Sequence, residues 1–487
     1  MEAADSYFLT RLLFQRALAA VYLIGFITVV HQFNPLLGER GLLPVPQFVR
    51  SVSFWRSPSL FYLCPKDIAF TFFGWAGIAL SLFALSGFSE RFGNPVSMPV
   101  WGALWVLYLS YVNVGQTFYA FGWESMLVET GFYAIFLGAA NTQPSVLMIF
   151  LLRWLLFRVM FGAGLIKIRG DDCWRGLTCL QYHYETQPIP NSLSWYFHRL
   201  PAWFQSISVF GNHVVELAVP FLFFLPQPFA AVGGLITIFF HLWLMVSGNF
   251  AFLGFLTMIL AIPTLPDSLL RFILPFSEGI IPAISMAHLY AVYAVTTLVA
   301  CLSYFPIKNM LSPRQVMNTS FNPLHLVGTY GAFGSITRTR YEVVIEGTTD
   351  TTLTAKTEWK EYEFIGKPGD IDRRPSQIAP YHLRLDWLMW FQPFYAQVVD
   401  GRVAVRGYHR WFITFMEKLL KNDVPTLSLI RSNPFPDQPP HFVRALFYRY
   451  RFTTSDEHKE TGAWWHRELV GSYLSPVSLK SPTEIIP

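Results

Sequence analysis

Apolar residues are spread unevenly along the chain: long apolar runs continue to about Phe305, and shorter, alternating patterns replace them afterwards. A helix needs about 20 mostly apolar residues to cross the hydrocarbon core of a bilayer. Residues 12–33, 68–88, 98–118, 145–168, 209–225, 229–247, 250–270 and 284–304 are runs of this kind, and 126–140 is a shorter one. One or two of them suit a re-entrant or interfacial segment, so the pattern predicts about eight spans. Beyond Phe305, residues 341–346 and 359–364 read as strands separated by a polar turn at 348–352, and 382–387 alternates in the same way. Residues 442–452 interleave aromatics with arginines, as a two-faced strand does. Residues 410–421 instead have helical spacing, with Trp411, Phe415, Leu419 and Leu420 on one side, and the proline-bearing 433–440 blocks further helix. The prediction is an α-helical multi-pass membrane bundle over 1–305, a linker over 306–329, and a β-rich α+β soluble domain over 330–487.

Composition agrees with the pattern. Hydrophobic residues make up 53% of the chain and charged residues 14%, against about a quarter charged in a soluble domain. The net charge of +5 names no acidic partner, and no nucleic-acid module is visible, so membrane lipid is the expected surrounding. The first apolar run is too long for a signal-peptide core and has no small-residue cleavage site after it, so it is expected to stay as an anchor. Four cysteines are too few for a disulfide scaffold. Cys301 lies in an apolar run and reads as a small buried hydrophobe. Cys173 and Cys179, in a polar loop, can pair if that loop faces an oxidising compartment.

That loop, about 169–204 between the fifth and sixth runs, is rich in His, Tyr and Trp. It fits either a functional surface or an aromatic belt at the headgroup level. At its start, Lys167 and Arg169 fit snorkelling to the membrane surface beside Asp171 and Asp172, or a direct functional role for Lys167. Gly162 and Gly164 permit close approach of a neighbouring helix or a ligand. His183 and Glu185 are a candidate acid–base pair or a hydrogen-bonded loop anchor. Ionisable residues inside apolar runs need partners, so Arg153 and Arg158 are expected to meet Glu124, Glu129 or Glu216. His213 and Glu216, three apart, share a helix face, but two ligands do not make a metal site. Trp387, Met389, Trp390 and Phe391 fit a surface for a folding client, or core. No nucleophile elbow or phosphate loop is present, and no cofactor is expected.

The stretch Gly162-Ala163-Gly164-Leu165-Ile166-Lys167-Ile168-Arg169-Gly170-Asp171-Asp172-Cys173-Trp174, with Tyr182-His183-Tyr184-Glu185-Thr186-Gln187-Pro188, resembles the signature region of the lipase maturation factors. The resemblance continues through Ser247-Gly248-Asn249, Arg314-Gln315-Val316-Met317-Asn318-Thr319 and residues 328–337. In the last third it runs through Lys367-Pro368-Gly369-Asp370, Arg373-Arg374-Pro375, residues 380–391, Asn433-Pro434-Phe435 and Tyr448-Arg449-Tyr450. It implies membrane residence and a part in maturing secreted lipases or other exported clients. The expected membrane is that of the endoplasmic reticulum in a eukaryote, with the C-terminal domain in the lumen, or the plasma membrane in a prokaryote. The ending Glu484-Ile485-Ile486-Pro487 does not read as a retrieval signal. Ala163 to Lys167, followed by an acidic pair and Trp174, is also similar to a stretch of the vitamin K-dependent carboxylases. That second resemblance implies a lysine in base chemistry and carries over only to Lys167; it expects, as the alternative to a maturation factor without enzyme activity, an integral membrane enzyme with Lys167, Asp171, Asp172, His183 and Glu185 as catalytic candidates and a polar cavity between the helices.

Overall fold

The computed structural model describes residues 7–272 and 284–479; the ending from Glu484 to Pro487 lies outside them. Among the described residues, seven helices are long and apolar enough to cross a membrane: Phe8–Leu37, Asp67–Ser86, Asn94–Val114, Val146–Arg169, Ala202–Phe224, Phe229–Ser247 and Met286–Leu311. The chain is a multi-pass membrane protein. Seven of the nine apolar runs become these spans, and the other two fall short for visible reasons. Gly122–Ile135 is only 14 residues long, and it buries Glu124 and Glu129. The run over 250–270 is broken by Pro263 and Pro266 into the helix Leu253–Ala261 and two short turns. Asp267, after the break, accepts the backbone N–H of Phe8 and Thr10 at 2.6 and 3.0 Å, tying down the start of the first helix.

The first helix has 30 residues, about 45 Å at the usual rise per residue, so it outruns the hydrocarbon core. Its Gln32 reaches the C-terminal domain, donating to the His382 carbonyl at 2.7 Å and accepting the Arg384 N–H at 3.0 Å. Cys301 is exposed on its span, not buried: the helix leaves that side to lipid.

The C-terminal domain is built on an antiparallel sheet of four strands in the order β2-β1-β5-β6, where β1 is Arg340–Thr348, β2 Lys360–Glu361, β5 Phe442–Phe452 and β6 Trp465–Val477. A separate hairpin joins β3, Ala396–Val399, to β4, Arg402–Val405. Strands β1 and β5 pair in full register, Val343 opposite Phe447 and Glu346 opposite Arg444. Helix Arg410–Leu420 packs against this sheet through Trp411, Phe412, Phe415, Met416 and Leu419, as its spacing predicts. Residues 382–387 are not a strand: the helix Arg384–Phe391 begins there, and contacts of His382 and Arg384 with the membrane domain override a six-residue alternation.

Residues between the last span and β1 pack against the membrane helices instead of hanging free. Gly162 lies so close to the Tyr330 carbonyl that a Cβ would overlap it, and Gly164 admits Leu217 in the same manner. Both glycines therefore serve close packing.

Candidate functional site

Three of the buried carboxylates, Glu129, Glu124 and Glu216, lie on the membrane helices at the expected positions. Glu129 pairs with Arg158, and also accepts from Tyr133 Oη at 2.8 Å, Tyr330 Oη at 2.7 Å and the Gly328 N–H at 3.0 Å. Glu124, one turn earlier, faces the C-terminal domain. It accepts from Arg384 Nη1 at 2.8 Å, lies 3.3 Å from His382 Nδ1, and takes a hydrogen bond from Tyr108 Oη at 2.6 Å. Glu216 pairs with Lys167 at 2.5 Å. The expected pairing of Arg158 is therefore present. Arg153 donates to the carbonyls of Pro263 and Phe223 and to the Tyr7 hydroxyl, and all three carboxylates have other cationic partners.

Lys167 does not snorkel. It is 5% exposed, held by Glu216 and by Asn212 Oδ1 at 3.2 Å, with the Trp174 ring 5.1 Å away. Arg169, two residues on, turns away to the Met310 and Ser312 carbonyls and Gln315. His213 sits on the same helix as Glu216 but binds the Trp174 carbonyl at 2.9 Å, so the two form no joint site. Among the described residues no group of three His, Cys, Asp or Glu side chains is placed to hold a metal ion.

The loop after Lys167 is a series of short helices anchored to the C-terminal domain. Asp171 pairs with Arg338 at 2.6 Å and accepts the Cys173 N–H at 3.0 Å; the Arg338 hydrogen bond holds its carboxyl below the usual range. Asp172 is exposed and paired with Arg175. A disulfide joins Cys173 to Cys179 and packs with Trp174, Val209 and Ile336. Glu185 accepts the Phe452 N–H at 2.8 Å, and burial raises its carboxyl; it anchors the loop and does not pair with His183. Arg340 donates to the carbonyls of Glu185, Gln187 and Pro188. Asn249 receives the Ile378 and Ala379 N–H groups at 2.7 and 2.9 Å and donates to the Ser376 carbonyl at 2.8 Å. Much of the signature sequence is thus the joint between the two parts of the molecule.

Within that joint lies a cavity of about 570 Å³. Lys167, Asn212, Glu216, His183 and His241 line it, as do Trp387, Trp390, Phe391 and Trp411 of the C-terminal domain. Trp387 and Met389 are buried core residues, which corrects the reading of them as a client surface; Trp390 and Phe391 are half-buried. Of the acid–base candidates, Lys167 and His183 reach the cavity, whereas Asp171, Asp172 and Glu185 do not line it. Two contributors were missed in the sequence. His241 is an isolated polar residue in a strongly apolar span, and that was its signal; Asn212 lies beside His213 on a helix that also carries Gln205 and Glu216.

Residues 9–272 match the family model of the lipase maturation factor transmembrane domain, and residues 326–475 that of the lipase maturation factor C-terminal domain. Lipase maturation factor 1 of Bos taurus is 42% identical over 513 residues, covering 98% of this chain and 90% of the relative. The Homo sapiens protein of that name is 40% identical over 512 residues, with 98% and 89% covered. Lipase maturation factor 2 of Gallus gallus is 29% identical over 604 residues, with 97% and 82% covered. No solved structure matches the chain.

Proposed function

The chain belongs to the lipase maturation factor family, and from that membership we propose that it is a membrane-embedded factor that brings secreted lipases, or other exported clients, to an active fold. The observation that carries this reading is likeness in order along nearly the whole chain, through both family domains. We place it in the endoplasmic reticulum membrane with the C-terminal domain in the lumen. The Cys173–Cys179 disulfide supports that side, because disulfides persist in oxidising compartments and this one packs on Ile336 at the root of the C-terminal domain.

Client engagement falls to exposed surface. Phe394, Tyr395, Val398 and Val399 are exposed apolar side chains at and just before the β3–β4 hairpin, the type of patch that binds partly folded chains. They take the role that buried Trp387 and Met389 do not fill. No covalent chemistry is required; the factor acts by binding folding intermediates better than the finished enzyme. The test is a photocrosslinker at position 398 of the full-length protein in cells secreting a lipase. Capture of immature but not mature lipase is expected, and equal capture of both, or of neither, sinks the reading.

A further inference from the structure

The cavity in the joint has polar side chains that the fold leaves without partners. His183 is 8% exposed and His241 6%. The His183 ring lines the cavity and packs against Phe250 and Phe333. His241 Nε2 touches only the Met160 sulfur at 3.4 Å, and its Nδ1 has no partner. Gln392 Nε2, also on the cavity wall, is unpartnered as well. Buried polar groups left unpaired cost about 1–3 kcal/mol each, so His241 and Gln392 on the wall of one space point to an occupant that supplies hydrogen bonds.

The charges nearby define that occupant. Lys167 is already compensated by Glu216, and Asn212 bridges the pair, donating to Glu216 Oε2 at 2.9 Å. An added charge would go unpaired in a low-dielectric space, which costs several kcal/mol. Burial, reinforced by the Lys167 charge, holds the His183 imidazole at about 3, so it offers one donor and one acceptor and no net charge. Much of the remaining wall is apolar, with Met126, Phe391, Trp387 and Trp411, and hydroxyls such as those of Ser247 and Thr257 interrupt it. A volume of about 570 Å³ falls within the roughly 300–1,000 Å³ of sites that enclose one small ligand. The surrounding spans put lipid within reach.

We propose that this cavity binds one uncharged single-chain lipid with a hydroxyl- and ester-bearing head, of the monoacylglycerol type. The head contacts His183, His241 and the Lys167–Glu216–Asn212 cluster, and the chain extends along the aromatic wall of the C-terminal domain. The lipid then forms part of the contact between the two halves of the protein. This site is independent of client binding, and its test needs no lipase.

The probe is 1-(9,10-dibromostearoyl)glycerol, added to the purified full-length protein in detergent micelles, because bromine quenches tryptophans it touches and Trp174, Trp387, Trp390 and Trp411 line the space. Saturable quenching by one probe per chain is expected, displaced by 1-monooleoylglycerol and not by oleate or lysophosphatidylcholine. His183→Phe removes a head contact and is expected to weaken binding about tenfold; Ala163→Phe, which fills the space, is expected to abolish it. Displacement by oleate or lysophosphatidylcholine as effective as by the neutral lipid overturns the uncharged head. Non-saturable quenching overturns the site, as does unchanged affinity in both variants when their thermal unfolding matches the parent. If the variants unfold, the competition order on the parent protein decides.

Discussion

Arg384 of the C-terminal domain reaches Glu124 of the membrane domain at 2.8 Å, and neither side chain is exposed to solvent. The same guanidinium lies 3.5 Å from the Tyr119 ring centroid and donates to the Phe118 carbonyl. A charge pair buried between two parts of a molecule fixes how they meet, since no sliding arrangement keeps both charges satisfied.

Removing one partner of that pair is therefore expected to cost about 3–5 kcal/mol. Arg384→Met leaves Glu124 buried beside a neutral side chain, and the full-length protein should unfold at lower temperature and expose the joint to limited proteolysis. Arg384→Met combined with Glu124→Gln should recover much of the loss. The check is thermal unfolding in detergent with a protease time course, and equal stability of single and double variants would contradict the argument.

Lys167 and Glu216 call for the same logic one layer deeper. Lys167→Met alone should destabilise by about 3–5 kcal/mol, whereas Lys167→Met with Glu216→Met should come close to the parent. A double-variant cycle by chemical unfolding measures the coupling. A single variant as stable as the parent would mean that the ion pair does not hold the fold.

Acid should weaken the protein through its buried histidines. Burial holds His183 at about 3 and, with Arg384 as second cause, His382 at about 4, whereas an unfolded histidine titrates near 6.5. Above about pH 6.5 both states are neutral and the stability is fully present. As pH falls below that value the unfolded chain takes up protons that the folded one refuses, with a slope of up to about 1.4 kcal/mol per pH unit for each histidine. The loss levels off once pH passes the folded values. Unfolding temperature should thus fall between pH 7 and pH 5, less so in His183→Gln, and a flat profile would refute the assignment.

Charging the hairpin should separate function from stability. Val398→Glu with Val399→Glu alters exposed side chains, so stability is expected to change by no more than about 0.5 kcal/mol per substitution. Secretion of active lipase should fall severalfold in cells that depend on this protein. Undiminished secretion would remove the hairpin from the client surface.

The spans were legible because twenty apolar residues in a row have few other uses, β1 and β5 because β-branched and aromatic residues cluster there, and the helix Arg410–Leu420 because its apolar residues keep helical spacing. Strand β6 was missed: bulges against β5 break its alternation, so its inward positions fall out of step. The β3–β4 hairpin carried a readable sign, Asp400-Gly401, both at positive φ, of the type favoured in tight hairpin turns. Arg158 needed a carboxylate, and that need was visible. Which of Glu124, Glu129 and Glu216 it would find was not, because the answer depends on the C-terminal domain supplying Arg384 and on Lys167 turning inward instead of towards the membrane surface.

The buried pairing at Glu124 also bears on biosynthesis. His382 follows Glu124 by 258 residues, so at about 5–20 residues per second a ribosome takes on the order of tens of seconds to deliver the partners. Throughout that interval the nascent bundle carries a carboxylate awaiting its cation, together with the seats that Asn249 and the loop at Gln187 hold for segments not yet made. Helix insertion alone does not complete this protein. Its membrane half waits for translation of the rest, and chains truncated before Arg384 are expected to be recognised and degraded as unfinished.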